Sequence, residues 1–498
     1  MEFKKLNNLT GWIIWAIAAC VYCITIERTA SFWDCGEYIA CSYRLEVGHP
    51  PGAPFFMLMG RVFTLFGGTD PAKAALMINV MSAIASAFAV LFLFWTITRL
   101  SLKVYRKKIN EISTSQKWAI ILAGLVGSLA CTFSDTFWFN AVEGEVYATS
   151  SLFTAMVFWC ILKWDEEDSI NPSSALRWLI LISYLIGLSI GVHLLSLLTI
   201  PAICFVIYYK KYKPSYKGFL IAGISSLAVL IFVQDLLIPK IVKFLSDYEV
   251  FFTNKLHFSF SSGTIIYFLL LLSSLVFLII YTFNKKENYY KIGFYSAIIF
   301  SVLCVMAAPS GGGMLTRFIM LSGILYSIHK FKTRTITLHA VFLSFATLLI
   351  GYSSFFVLVI RSQANTPMDE NDPENAPNML AYLLREQYGA APPLLYGQFY
   401  NAPALPRSEY GSGDPVYAKD KTKNNYKVID SKKNSIPKYE KHFCTVFPRM
   451  YSNQQASHVA GYKYWGNVSE HHRTKNSENG NGETETIEVP TFASNIIY

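Results

Sequence analysis

The sequence predicts an all-α polytopic membrane protein with a C-terminal tail of mixed or irregular structure. Three observations lead there. Hydrophobic residues make up 53% of the chain and charged residues only 15%, a composition far from that of an average soluble protein. Apolar runs near the roughly twenty residues needed to cross a bilayer recur as far as residue 360. Beyond Arg361 the composition turns polar, with TPMDENDPENAP as a turn-rich linker.

About eleven spanning segments follow from the twenty-residue rule. They lie near 11–26, 72–99, 118–139, 146–163, 178–192, 194–209, 218–238, 264–283, 292–308, 314–329 and 336–360. The first follows Lys4 and Lys5 as a signal peptide would. Glu27, Arg28 and bulky aromatics then stand where a small-residue cleavage site belongs, so it is read as a retained helix. Segments 178–192 and 194–209 are short for a full-thickness bilayer, which places their join at His193 against thinned lipid or a cavity.

Loop charges set the orientation. With the N-terminus inside, one face collects Lys103, Arg106, Lys107, Lys108 and Lys117, then Lys210, Lys211, Lys213 and Lys217, then Lys285, Lys286 and Lys291, then Lys330, Lys332 and Arg334. The net charge of +10 is thus spread over short clusters rather than one stripe, which argues against a nucleic-acid partner. The outer face receives residues 31–54, the turn at Glu143, residues 239–263 and the tail. This gives a membrane domain over 1–360, with a first outer loop over 27–71, and an outer segment over 361–498. In that segment Asn378 is expected to cap a helix through Tyr388, PPLLYGQFY to be extended, and the runs AKDKTKNNYKVIDSKKN and HHRTKNSENGNGETE to be mobile. Of nine cysteines, six fall in apolar segments as small hydrophobes, and Cys35 and Cys41 are badly spaced for a disulfide on one helix.

The stretch SFWDCGEYIACSYRLEVGHPPGAP, residues 31–54, interrupts the apolar pattern with acids and aromatics. Read as a helix, it carries a capping-box spacing from Ser31 to Asp34 and a stop at Gly48, Pro50 and Pro51. Asp34, Glu37, Cys41 and Arg44 then share one face. Two readings stand side by side. In one, Asp34 caps its helix and Glu37 pairs with Arg44 or solvent; in the other, a carboxylate acts as general base on a hydroxyl. A second acidic turn, Glu143 and Glu145 in FNAVEGEVYATS, can supply another carboxylate or hard oxygen ligands to a divalent cation, with Asp34, Glu143 and Glu145 as the candidate set. For binding a phosphate-bearing substrate the candidates are His49, Arg44, Glu145, His193, Arg317 beside Gly311, Gly312 and Gly313, and Arg361.

FWDCGEYIACSYRLEVGHPPGAPFF resembles the signature of a bacterial membrane family, common in Bacteroidota and related to the vertebrate transmembrane protein O-mannosyltransferase. AVEGEVYATS, GLSIGVHLL and IRSQANTPMDENDPEN resemble further segments of that family. Cys35 stands where a serine is usual. The chain stops at Tyr498, where relatives are expected to continue. The resemblance implies a GT-C fold in the bacterial inner membrane, with the tail in the periplasm. It also implies a polyprenyl-phosphate sugar donor, mannose transfer to Ser or Thr of exported proteins, and Asp34, Glu37 and Glu143 as catalytic acids. The competing expectations are a transporter or flippase, and a non-catalytic envelope scaffold.

Overall fold

The computed structural model describes the chain apart from residues 1, 107–108, 284–290, 293–294, 297, 300–334, 389–394, 399–409, 438–443, 447–454, 469–472, 479–483 and 498. It divides into two compact units, Met1–Leu384 and Arg385–Tyr498.

The first unit is helical: α1 (Phe3–Ile24), α2 (Cys35–Arg44), α3 (Pro54–Leu65), α4 (Ala74–Val104), α5 (Thr114–Thr132), α6 (Asp135–Ala141), α7 (Val146–Asp168), α8 (Pro172–Ile190), α9 (Thr199–Lys211), α10 (Tyr216–Ile231), α11 (Ile238–Leu256), α12 (Ser262–Phe283), α13 (Thr335–Tyr352), α14 (Phe356–Gln363) and α15 (Ala376–Leu383). Eight helical stretches among the described residues are long and apolar enough to cross a membrane, nine if bent α5 and α6 count as one span. This is an integral membrane protein. The nine correspond to nine of the eleven segments read from hydropathy; 292–308 and 314–329 lie almost wholly outside the described residues.

Residues 239–263, expected as an outer loop, are mostly helix. A π-helical turn at Phe232–Leu237 joins α10 to α11 without a break. Pro239 lacks the N–H that a continuing helix uses, and the π-helical turn lies immediately before it, where the ladder is re-spaced. Glu249 on α11 is buried because it accepts from the backbone N–H groups of Ser261 (2.6 Å) and Thr264 (3.0 Å).

Packing centres on α4, α7 and α8, with α13 laid along α8, α4 along α7, and α1 and α5 against α4. The far end of α7 carries four successive acids, each paired with a base. Asp165 meets Lys103 and Lys210, Glu166 meets Arg99 and Lys163, Glu167 meets Arg177 at 2.7 Å, and Asp168 meets Lys211 at 2.5 Å. Lysines read as free loop charges therefore tie α4 and α9 to α7.

Residues 361–384, grouped with the tail on sequence, pack into this first unit. Asn375, rather than Asn378, caps α15 by accepting from the Asn378 N–H. Pro377 occupies the first turn, so the cap must precede it.

Among its described residues the second unit contains four two-stranded antiparallel pairs: β1 (Leu395–Gln398) with β6 (Cys444–Val446), β2 (Tyr410–Gly411) with β5 (Ile436–Pro437), β3 (Val416–Asp420) with β4 (Asn425–Asp430), and β7 (Arg473–Glu478) with β8 (Thr484–Val489). Helices α16 (Ala456–Trp465) and α17 (Phe492–Ile497) accompany them. The described parts of the two polar runs expected to be mobile thus form paired antiparallel strands. Hairpin pairing satisfies the backbone without a large apolar face, and Asn424 at φ 48° makes the β3–β4 turn.

Candidate functional site

The residues around Asp34 are arranged by a break in the backbone. Trp33 adopts φ 58°, so no helix runs from Ser31 into Asp34, and α2 starts at Cys35. Ser31 is not its cap. Asp34 occupies the cap position but its side chain makes no capping bond, and it is 55% exposed. The helix ends at Arg44, with Leu45 left-handed at φ 51°, rather than at Gly48.

After Leu45 the chain doubles back over α2. Gly48 passes so close to Glu37 that an added Cβ would strike the carboxylate. That approach lets Glu37 Oε1 accept twice from His49, from the backbone N–H at 2.5 Å and from Nδ1 at 2.9 Å. His49 Nε2 then faces Asp34 Oδ2 at 3.9 Å. The imidazole stands between two carboxylates and packs beside Tyr38, with ring centroids 5.8 Å apart. Burial pushes the Glu37 carboxyl up, but the His49 bonds and charge outweigh it and hold it below the usual range.

The acidic turn before α7 comes to the same place. Glu143 is 3% exposed and accepts from the Cys35 thiol at 3.7 Å. Glu145 is 6% exposed, caps α7 through the Val146 N–H, and interacts electrostatically with Asp34 and His49. Burial, reinforced by the charges of Asp34 and Glu143, raises Glu145 to about 7. Burial raises Glu143 too, against its bonds from Ser31 and Cys35. Cys35 is pushed up to about 12 by burial and the adjacent carboxylates, so its thiol stays protonated and is no nucleophile.

The raised Glu145 predicts a pH effect. Its folded value, about 7, exceeds the ordinary 4.5, so the folded state holds the proton more tightly. The resulting penalty is absent below the unfolded value and complete above about pH 7. Wild-type thermal stability in detergent should therefore fall between pH 5 and 7.5 by more than that of Glu145→Gln. Parallel curves would place Glu145 outside this role.

The other candidates separate from the cluster. Arg44 does not join Glu37; its side chain is 64% exposed and lies 4.0 Å from Glu46. Arg361 is spent on backbone, donating from Nε to the Leu45 carbonyl (2.6 Å) and from Nη2 to that of Arg44 (3.1 Å), which closes the end of α2. His193 accepts from the Leu195 N–H at 3.1 Å and packs on Tyr147, opening a 3-10 turn. Arg317 and Gly311 to Gly313 lie outside the described residues. Among the described residues the group able to hold a metal ion is Asp34, Glu37 and His49, whose ligand atoms lie within 4.8 Å of one another. It is not the Asp34, Glu143 and Glu145 set read from the sequence.

Two further residues hold the loop in place. Tyr382, fully buried on α15, donates to the Gly48 carbonyl at 2.6 Å. Asn79, buried on α4, donates to the carbonyls of Glu27 (2.7 Å) and Thr29 (3.1 Å). A polar residue inside the apolar run ALMINVMS is the signal that marks Asn79. Nothing local marks Tyr382.

Residues 34–216 match the family described as protein O-mannosyl-transferase TMEM260 N-terminal domain, and residues 390–498 match a family of unknown function. The chain is 26% identical over 211 residues to protein O-mannosyl-transferase tmem260 of Dictyostelium discoideum, covering 40% of this chain and 24% of that protein. It is 27% identical over 162 residues to protein O-mannosyl-transferase TMEM260 of Mus musculus, covering 32% of this chain and 20% of that one. The chain thus spans about a quarter or less of the length of these curated relatives. No solved structure matches. The part of the chain that carries Asp34, Glu37, His49, Glu143 and Glu145 is therefore related to the N-terminal domain of the TMEM260 protein O-mannosyl-transferases.

Proposed function

We propose that the helical unit is a GT-C type glycosyltransferase that moves mannose from a polyprenyl-phosphate donor to Ser or Thr hydroxyls of exported proteins. The observation that carries this reading is the gathering of three further carboxylates and an imidazole around Asp34, all inside the segment matched to the O-mannosyl-transferase family. The relatives are protein O-mannosyl-transferases by name, which suggests the sugar and the class of acceptor; the donor follows from the expected GT-C fold.

In this mechanism Asp34, the most open of the acids, accepts the hydroxyl proton as the oxygen attacks the anomeric carbon. Glu37 and His49 fix the surroundings of Asp34 through their mutual bonds. Arg44 remains available for the phosphate of the leaving lipid, since its side chain is exposed. Buried Glu143 and Glu145 shape the floor of the site. With the basic clusters inside, the site faces the periplasm of a bacterial inner membrane, as does the tail.

The test is reconstitution of the whole chain in liposomes with polyprenyl-phosphate [14C]mannose and a Ser/Thr-rich peptide from an exported protein. Label should appear in the peptide and be released by alkaline β-elimination. Donor exchange across the bilayer with no labelled peptide would replace the enzyme reading with that of a transporter.

A further inference from the structure

We propose that Tyr147 and His193 form a subsite for the sugar ring of the lipid-linked donor, next to the acids. The subsite rests on the transfer reading above and adds to it the residues that recognise the sugar.

Three segments converge on His193 and hold it in place. The carbonyl of Gly191 accepts from the backbone N–H groups of Phe55 (2.8 Å) and Phe56 (3.3 Å), which ties the break between α8 and α9 to the start of α3. Ser196 donates to Ser189 across the same break at 2.6 Å, and both residues are fully buried. Val192 packs with Val146 and Phe153 of α7. His193 is thereby kept extended at the head of the 3-10 turn, with its ring lying on Tyr147 at a centroid distance of 5.3 Å.

The hydrogen bond at Nδ1 decides which donor the imidazole presents. Nδ1 accepts from the Leu195 N–H at 3.1 Å, so the ring is neutral and its hydrogen is on Nε2. Among the described residues neither this Nε2–H nor the Tyr147 O–H has a hydrogen-bond partner, and Tyr147 is 41% exposed. Two uncharged donors beside a half-open aromatic ring suit a neutral polyol, whose hydroxyls accept the bonds while its C–H groups lie on the ring. Charge selects the sugar rather than the phosphate of that donor. The carboxylates of Glu145 and Asp34 act on the Tyr147 phenol, so an anion placed there would be repelled and a neutral ring would not. The same nearness sets the sugar beside the proposed base.

The experiment measures calorimetric binding of a short-chain isoprenyl-phosphate mannose, and of its monodeoxy analogues, to the full chain in detergent, alongside transfer to peptide. Removing a hydroxyl that either group bonds should weaken wild-type binding by roughly 3- to 10-fold. Tyr147→Phe and His193→Asn should each bind the parent donor more weakly by the same factor and show no further loss with the matching analogue. His193→Asn keeps an oxygen where Nδ1 accepts the Leu195 N–H, so the turn survives while the Nε2 donor is lost. Deoxy penalties in both variants equal to those of wild type would overturn the subsite even with transfer intact. A wild-type series with no penalty at any position would do the same, and needs no variant to fold. The expected pattern of penalties without labelled peptide would remove the enzyme reading and leave the sugar contacts standing.

Discussion

Asp34→Asn is expected to lower mannose transfer by about 100- to 10,000-fold, the range associated with loss of a general acid or base. Folding should survive. The Asp34 side chain makes no capping bond and is more than half exposed, so its replacement by a group of the same shape should change stability by less than about 0.5 kcal/mol. The donor KM should hold steady while kcat falls, because the proton is taken in the transition state. The assay is labelled transfer to peptide, with thermal unfolding in detergent as the folding control. Unimpaired transfer would move the base elsewhere in the cluster, with His49 and Glu145 next in line.

The second large effect is on assembly. Helices α8 and α13 cross at Gly187 and Gly351, where backbone meets backbone. A Cβ on Gly351 would lie 2.7 Å from the Gly187 carbonyl carbon, and one on Gly187 would strike the Leu348 backbone. Close approach through small residues is how membrane helices gain packing in the absence of a hydrophobic drive. Gly187→Ala should destabilise by about 1–3 kcal/mol, the usual cost of overpacking, and Gly187→Val should prevent the two helices from seating. Gly36→Ala, with nothing within 4 Å of its Cβ, is the control. A melting temperature for Gly187→Val equal to that of the control would contradict the crossing.

The spans were legible because bilayer thickness imposes one length on each apolar run, and nine described stretches answer to that rule. The continuity of α10 into α11 was not. Hydropathy ends a span near residue 238 and puts 239–263 outside, whereas the π-helical turn just before Pro239 carries the helix on. Around Asp34, spacing placed Glu37 and Cys41 on one face, and both indeed border Gly48. It could not show His49 folding back onto Glu37, because that contact needs the left-handed Leu45 and the close pass of Gly48. Spacing also gave Ser31 a capping role that the backbone of Trp33 forbids.

Arg361 shows the limit most clearly. On sequence, a cation where the last span ends reads as a partner for a phosphate-bearing substrate. Its actual partners, the carbonyls of Arg44 and Leu45, lie more than three hundred residues away. Long-range backbone capping leaves no periodic trace in a sequence.

The central claim is direct displacement at the anomeric carbon by a hydroxyl that gives its proton to Asp34. The anomeric configuration of the mannosyl peptide, read by NMR against that of the donor, tests it most directly. A single displacement inverts the configuration. Retention would require a covalent or paired displacement, and would contradict a mechanism in which Asp34 serves only as base.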